Sequence, residues 1–210
     1  MPRLLITLLC LFTLWLASVP AHAGGRTGPR PGTRPAAGIT LILVLDRSGS
    51  MSGPRLVRTR QAAALLIRGL RRTDWLGVLS FDTVVRVVSK LGRVGNRRTH
   101  LAAVKRLTAG GGTRFLPALD AARKLLKAAP ANRHHHVLFL SDGQSARGGV
   151  MSAVHALVRG RATLSTIALG QGADTVFLAK MARAGKGRSY ATTGAGLAAV
   201  CRKELRRLGR

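Results

Sequence analysis

The stretch Asp46-Arg47-Ser48-Gly49-Ser50 decides how the rest of this 210-residue sequence is interpreted. It directly follows residues 39–45, which are all apolar except Thr40. Such a run is typical of a β-strand that is buried on both faces. The Asp46 carboxylate would then lie at the carboxyl end of that strand, where open α/β sheets bind their ligands. In a tight loop, this carboxylate and the two serine hydroxyls can face one point, which suits a hard, oxygen-seeking cation.

Two later stretches carry the same kinds of oxygen donor. Residues 137–140 form a second apolar run, which ends in Ser141-Asp142-Gly143 as the first run ends in Asp46. The Gly-rich stretch Gly110-Gly111-Gly112-Thr113 ends in a hydroxyl residue just before a helical pattern. Two carboxylates and three hydroxyls from three loops at one sheet edge would make an octahedral site with room for waters.

Predicted strands and helices alternate along the chain, which indicates an α/β fold. The strands are predicted at residues 39–45, 75–81, 83–89, 137–140, 163–169 and 188–192. The helices are predicted at residues 55–70, 100–107, 115–129, 150–159, 174–184 and 197–208. This alternation favours a doubly wound, mostly parallel sheet with helices on both faces, and the short third strand reads as an antiparallel edge.

The three oxygen-bearing stretches resemble those of the von Willebrand factor type A (VWA) domain, and the resemblance is closest to bacterial members. The shared features are Asp46-x-Ser48-x-Ser50, the Gly-Gly-Thr that ends at Thr113, and the strand followed by Ser-Asp-Gly at Asp142. The resemblance covers most of residues 39–208. It implies a Rossmann-like, six-stranded sheet of order 3-2-1-4-5-6.

In that family the matching residues form the metal-ion-dependent adhesion site (MIDAS), and all five expected positions are filled here. The resemblance implies that Ser48, Ser50 and Thr113 ligate a metal directly, and that Asp46 and Asp142 act directly or through water. The expected ion is Mg²⁺, with Mn²⁺ and Ca²⁺ as further candidates. An Asp or Glu of a protein partner would fill the open coordination position, as in cell adhesion.

The first 38 residues suggest an exported protein. Residues 1–23 have a positive start at Arg3, an apolar stretch, and the small-x-small site Ala21-His22-Ala23, as in a cleaved signal peptide. The alternative is an uncut membrane anchor, although the apolar stretch is short for a span. Residues 24–38 are rich in Gly, Pro and Arg and predict a flexible linker. We expect a periplasmic or secreted VWA domain at residues 39–208, without a transmembrane helix in the mature chain.

The charge of the chain is lopsided: 35 Lys and Arg against 7 Asp and Glu give a net charge of +28. Such a surface favours anionic partners, so the alternative function is a basic scaffold that binds anionic envelope polymers or lipid by charge. Arg-rich genome composition would explain the charge equally well. Specific nucleic-acid recognition is disfavoured, because the basic residues are dispersed and rarely interleaved with aromatic residues.

Enzyme motifs are weak in this sequence, and we predict no catalytic residues. Gly194-Ala195-Gly196 matches a loose dinucleotide fingerprint but comes at the last helix, without the acidic residue that should follow. No phosphate-binding loop or hydrolase elbow occurs. His134-His135-His136 invites a zinc site, but neighbours in a strand point to opposite faces, so at most two could converge. Cys201 reads as a small buried residue, with an intermolecular bridge as the alternative.

Overall fold

The computed structural model describes residues 38–210. In this part of the chain, six strands span Ile39–Asp46 (β1), Trp75–Phe81 (β2), Val85–Arg93 (β3), His134–Ser141 (β4), Ala162–Leu169 (β5) and Lys186–Thr192 (β6). The α-helices span Pro54–Gly69 (α1), Arg97–Lys105 (α2), Phe115–Lys127 (α3), Val150–Arg159 (α4), Thr175–Ala184 (α5) and Leu197–Arg207 (α6). None of the helices in these residues is long and apolar enough to cross a membrane.

The strands form one sheet of order β3-β2-β1-β4-β5-β6, as predicted. All neighbouring pairs are parallel except β2 and β3, so β3 is the antiparallel edge strand. β1 lies at the centre between β2 and β4, and Leu45 pairs with Leu140. The strands that precede Asp46 and Asp142 are therefore neighbours and end at the same edge of the sheet, as the sequence predicted.

Two apolar layers bury the sheet on both faces. One layer packs α1, α2 and α6 against the sheet, and the other packs α3, α4 and α5. All eight residues of β1 are buried, because side chains that alternate between the faces of a central strand meet helices either way. This burial explains why β1 reads as a continuous apolar run rather than as an alternating one.

Most elements match their predicted bounds to within two residues, but β3, α2 and β4 differ by three or more at one end, and β4 begins at His134 instead of residue 137. The predicted third strand ended at Ser89, whereas β3 continues to Arg93 because antiparallel pairing with β2 reaches back to Trp75. α2 begins at Arg97, earlier than predicted, because the Asn96 side chain caps the helix by accepting a hydrogen bond from Arg98 N at 3.1 Å.

A buried carboxylate fastens α6 to the sheet. Glu204 is fully buried and accepts hydrogen bonds from Arg207 Nη2 at 2.7 Å and Tyr190 Oη at 2.8 Å. Its Oε1 also lies 2.9 Å from His136 Nε2. Burial disfavours the charged form of Glu204, but the hydrogen bonds from His136 and Arg207 outweigh it and hold the pKa of this carboxyl well below its ordinary value.

His136 therefore has a structural partner. Its Nδ1 lies 2.7 Å from the Thr163 hydroxyl, which can donate to it, while Nε2 faces the ionised Glu204, which can only accept. Burial lowers the pKa of His136 against the pull of Glu204, which fits a neutral ring with its proton on Nε2. His134 stacks at 6.1 Å on the same side, and His135 turns away to Pro130 O at 3.1 Å.

We expect Glu204→Gln to lower the free energy of unfolding at neutral pH by about 2 kcal/mol, because it removes a buried charge that serves three donors. Asp120→Asn is the matched control, since the Asp120 side chain is 42% exposed and its pair with Arg123 is 3.6 Å long. That control should change the free energy by less than about 0.5 kcal/mol. Urea unfolding measures both. Equal losses in the two variants would contradict a special role for Glu204.

The contribution of Glu204 should also depend on pH. The unfolded chain binds a proton at Glu204 near pH 4.5, the ordinary glutamate value, whereas the folded chain does so only at lower pH. The stabilisation is therefore complete above that value and is lost as the pH falls below it. Urea unfolding at neutral pH and near pH 3.5 should show that the difference in the free energy of unfolding between the native chain and Glu204→Gln becomes smaller in acid. A gap that widens in acid would contradict this assignment.

Candidate functional site

Asp46 ends β1 as a carboxylate with no exposed surface. Its Oδ1 accepts a hydrogen bond from Ser48 N at 2.8 Å, and its Oδ2 accepts one from Ser141 Oγ at 2.6 Å. Burial raises the pKa of Asp46 to about 6, although the hydrogen bonds from Ser141 and Ser48 oppose the rise. Asp46 thus remains mostly ionised at neutral pH, and a bound cation would favour its charged form further.

The two serine hydroxyls of the Asp46 loop face each other. Ser48 is buried and Ser50 is exposed, and their Oγ atoms are 3.1 Å apart. Two ligands at right angles around Mg²⁺, each about 2.1 Å from the ion, are about 3.0 Å apart. The hydroxyl spacing therefore fits two adjacent ligands of an octahedral ion, and a hydroxyl pair beside a carboxylate suits a hard cation.

The Gly-rich loop is tied to the Asp46 loop by its backbone. Gly49 N donates to Gly111 O at 2.9 Å, and Gly110 N donates to Arg47 O at 2.8 Å. Thr113, which ends this loop, is half-buried. The two bonds hold the Gly-rich loop, which leads to Thr113, against the loop that carries the serines.

Ser145 joins Thr113 to the third loop. Ser145 lies three residues beyond Asp142 in the chain. Its hydroxyl donates a hydrogen bond to Thr113 O at 3.1 Å and accepts one from Phe115 N at 3.3 Å. A hydroxyl that bridges a loop and the first residue of α3 fixes where the helix begins. Sequence reasoning missed Ser145, because a serine three positions after Ser-Asp-Gly carries no signal of its own.

Asp142 is also fully buried, and an arginine reaches it. Arg55 Nη1 lies 3.2 Å from Asp142 Oδ2, and Gln144 N donates to Oδ1 at 3.2 Å. The same Nη1 donates to Ser50 O at 3.0 Å, so Arg55 bridges the first and third loops. Sequence analysis missed this contact of Arg55, since 87 positions separate it from Asp142.

Asp82 is a further carboxylate at this edge of the sheet, and its contacts are structural. It accepts from Val84 N at 2.8 Å and pairs with Arg86 at 2.8 Å and Arg47 at 3.0 Å. Burial would raise the pKa of Asp82, but the Val84 bond and the two arginines lower it below its ordinary value. Asp82 thus has a turn-forming role.

The predicted ligand set consists only of oxygen donors. Within residues 38–210, no group of three or more His, Cys, Asp and Glu side chains could hold a metal. Two carboxylates and three hydroxyls would thus have to share the coordination, which fits Mg²⁺ better than a soft ion. Cys201 lies elsewhere, buried in the α6 layer, and burial raises the pKa of its thiol to about 11.

Comparisons with known proteins agree with this geometry. Residues 41–144 match the family model of the von Willebrand factor type A domain. An uncharacterized protein of Synechocystis is 34% identical over 110 residues, which are 52% of this chain and 26% of that protein. The chain thus spans about a quarter of this relative's length.

Solved structures show the same fold. A von Willebrand factor type A structure from Catenulispora acidiphila is 25% identical with a TM-score of 0.74, covering 81% of this chain and 42% of the other. Proximal thread matrix protein 1 from the mussel byssus, with zinc in its MIDAS motif, is 16% identical with a TM-score of 0.70. That match covers 81% of this chain and 48% of the mussel protein.

The matched residues run from β1 through the Asp142 loop, and the sheet around them has the strand order that the motif implied. Residues 41–144 therefore form a von Willebrand factor type A domain, a type of domain that typically serves as a non-enzymatic module for protein interaction and adhesion.

Proposed function

We propose that this domain binds a protein partner through a divalent cation held by Asp46, Ser48, Ser50, Thr113 and Asp142. Two observations support the proposal: hydrogen bonds tie the three loops that carry these residues to one another, and the Ser48 and Ser50 hydroxyls lie 3.1 Å apart. A bound cation would supply the positive charge that a partner's Asp or Glu carboxylate seeks. Mg²⁺ is the expected ion, with Mn²⁺ and Ca²⁺ as further candidates.

The contacts of the five residues suggest different roles for each. Ser48 and Ser50 offer hydroxyl oxygens at one point, and the backbone bonds of the Gly-rich loop bring Thr113 toward them. Asp46 already accepts hydrogen bonds on both carboxylate oxygens, so it orients its loop and provides charge. Asp142 shares its charge with Arg55. A neutral inner set of hydroxyls would leave much of the cation's charge for the partner carboxylate.

The metal-occupied mussel structure supports a metal in this motif without deciding the ion for this chain. The proposal extends to location: residues 1–23 as a signal peptide, residues 24–38 as a linker, and a periplasmic or secreted site of action. The signal and all but the last residue of the linker lie outside the described residues, so their support is the sequence pattern alone.

The metal-bridged interaction predicts two sensitive residues. Asp46→Asn removes charge but keeps shape, so it should weaken Mg²⁺ affinity and abolish metal-dependent partner binding. Thr113→Ala removes only a hydroxyl, so it should spare much of the Mg²⁺ affinity and mainly harm the partner-bound state. Calorimetry with Mg²⁺ and a pull-down from envelope extract of the native host measure the two effects.

Asp120→Asn is the control for this pair, because it removes an acid on α3 and should alter neither readout. Thermal unfolding of each variant must show a folded domain. Partner binding that survives both Asp46→Asn and Thr113→Ala would reject the metal bridge.

The excess of basic residues supports a second candidate function, that of a basic scaffold. The chain carries 35 basic residues, and its 7 acidic residues all lie within residues 38–210, so most basic side chains have no acidic partner. A basic scaffold would bind anionic envelope polymers or lipid through this excess. Its binding would fall steeply as salt screens the charges, and EDTA would have no effect.

We expect the opposite pattern. Parallel pull-downs in Mg²⁺ and in EDTA should lose the partner with EDTA, and moderate added salt should slow capture more than it reduces the final yield, because charge steers association. Capture that ignores EDTA but disappears with salt would favour the basic scaffold.

A further inference from the structure

A pocket of about 430 Å³ lies beside the candidate metal site. Its polar lining comes from the Asp46 loop, the start of α1 and the loops after β5 and β6: Ser50, Ser52, Arg55, Arg58, Gln171 and Thr193. Ser50 belongs to the proposed ligand set, and Arg55 contacts Asp142, so the pocket and the metal site are continuous. Two guanidinium groups and three hydroxyls line the pocket, and no carboxylate does.

Arg55 is held in place at the boundary between the two sites. Its guanidinium donates to Ser50 O at 3.0 Å, to Asp142 Oδ2 at 3.2 Å and to Gln171 O at 2.8 Å. A guanidinium has five N–H donors, so these three bonds leave two for a ligand. Gly170 makes the placement possible: its φ is +98°, and a Cβ there would lie 2.6 Å from Arg55 Nε.

Arg58 is the second cation of the pocket. Its side chain is half-buried and lies on Gly194, whose φ is +128° and where a Cβ would meet Arg58 Nε at 2.6 Å. Among residues 38–210 it forms no hydrogen bond or ion pair, although every acidic residue of the chain is within that range. A half-buried arginine without an acceptor among these residues can offer its N–H donors to an anion from outside.

We propose that this pocket is a second anion subsite, which binds a carboxylate from the same partner whose first carboxylate reaches the metal. The inference rests on the proposed function and specifies the partner: a protein segment with acidic side chains close together in sequence. Neighbouring residues of a peptide are about 3.8 Å apart at Cα, so an acidic run can place one carboxylate on each side of Ser50. The net charge of +28 would speed the approach of such a segment.

The test uses two labelled peptides, one with a single glutamate among glycines and one with six consecutive glutamates, in fluorescence anisotropy with Mg²⁺ and with EDTA. Arg58→Gln should lower the affinity for the hexaglutamate peptide by roughly tenfold, because it removes one charged contact. It should leave the single-glutamate peptide and the calorimetric Mg²⁺ affinity unchanged within about twofold. Arg68→Gln is the matched control: it removes the same charge from the exposed end of α1 and should change neither peptide by more than about twofold.

The outcomes separate the subsite from the metal. Equal effects of Arg58→Gln and Arg68→Gln, or equal losses for both peptides, would overturn the subsite and leave only a general charge effect. Tighter binding of polyphosphate than of hexaglutamate, lost in Arg58→Gln, would replace the acidic protein with an anionic polymer. If the native chain binds the single-glutamate peptide equally well in EDTA, the metal-dependent function fails, while the hexaglutamate loss in Arg58→Gln still decides the subsite.

Discussion

The complete burial of the Asp46 carboxylate is the constraint on which the rest of the site depends. β1 is covered on both faces, so a charged group at its end loses its water, and burial alone would drive it to the neutral form. Hydrogen bonds from Ser48 N and Ser141 Oγ replace part of that water. Those two bonds also fix the turn after β1 and its register with the end of β4. The hydrogen bonds that stabilise the buried, charged carboxylate therefore also shape the loop that carries the serine hydroxyls.

Most of the few acidic residues have an evident structural task. Asp74 receives the guanidinium of Arg210 at 2.7 and 2.8 Å, Asp174 pairs with Arg147 at 2.6 Å, and Glu204 holds α6. Replacing a buried member of such a pair leaves an arginine without its acceptor, whereas most surface arginines have no acidic partner to lose. The many basic residues are therefore not equally important for the structure and the candidate site. An arginine matters where it is seated against the fold and still has free donors, as Arg55 and Arg58 are beside the candidate metal site.

The strand ends and the convergence of the three loops were predictable from local patterns in the sequence, whereas the strand order was implied by the family resemblance that those patterns carry. Apolar runs that end in Asp46 and Ser141-Asp142 mark strand ends, and a motif of fixed spacing marks the loops. The contacts of Arg55, Ser145 and Glu204 were not predictable, since they join residues that are distant in sequence and identical in type to many others. An arginine in a chain with 35 basic residues carries no positional signal. Only the packing of α1 against the loop after β5 shows which arginine reaches Asp142.

Arg55 also sets the charge balance of the proposed metal site. The two buried carboxylates contribute two negative charges, and the Arg55 guanidinium at 3.2 Å from Asp142 cancels about one of them. A divalent cation added to this set would leave a net positive charge among poorly hydrated groups, where charge interactions are weakly screened. That surplus would weaken metal binding in the absence of a ligand, and a carboxylate that neutralises it would strengthen metal binding. On this reasoning, metal and partner favour each other's binding, and by linkage each raises the affinity for the other by the same factor. The arginine that stabilises Asp142 without metal would thereby make occupancy of the site depend on the partner.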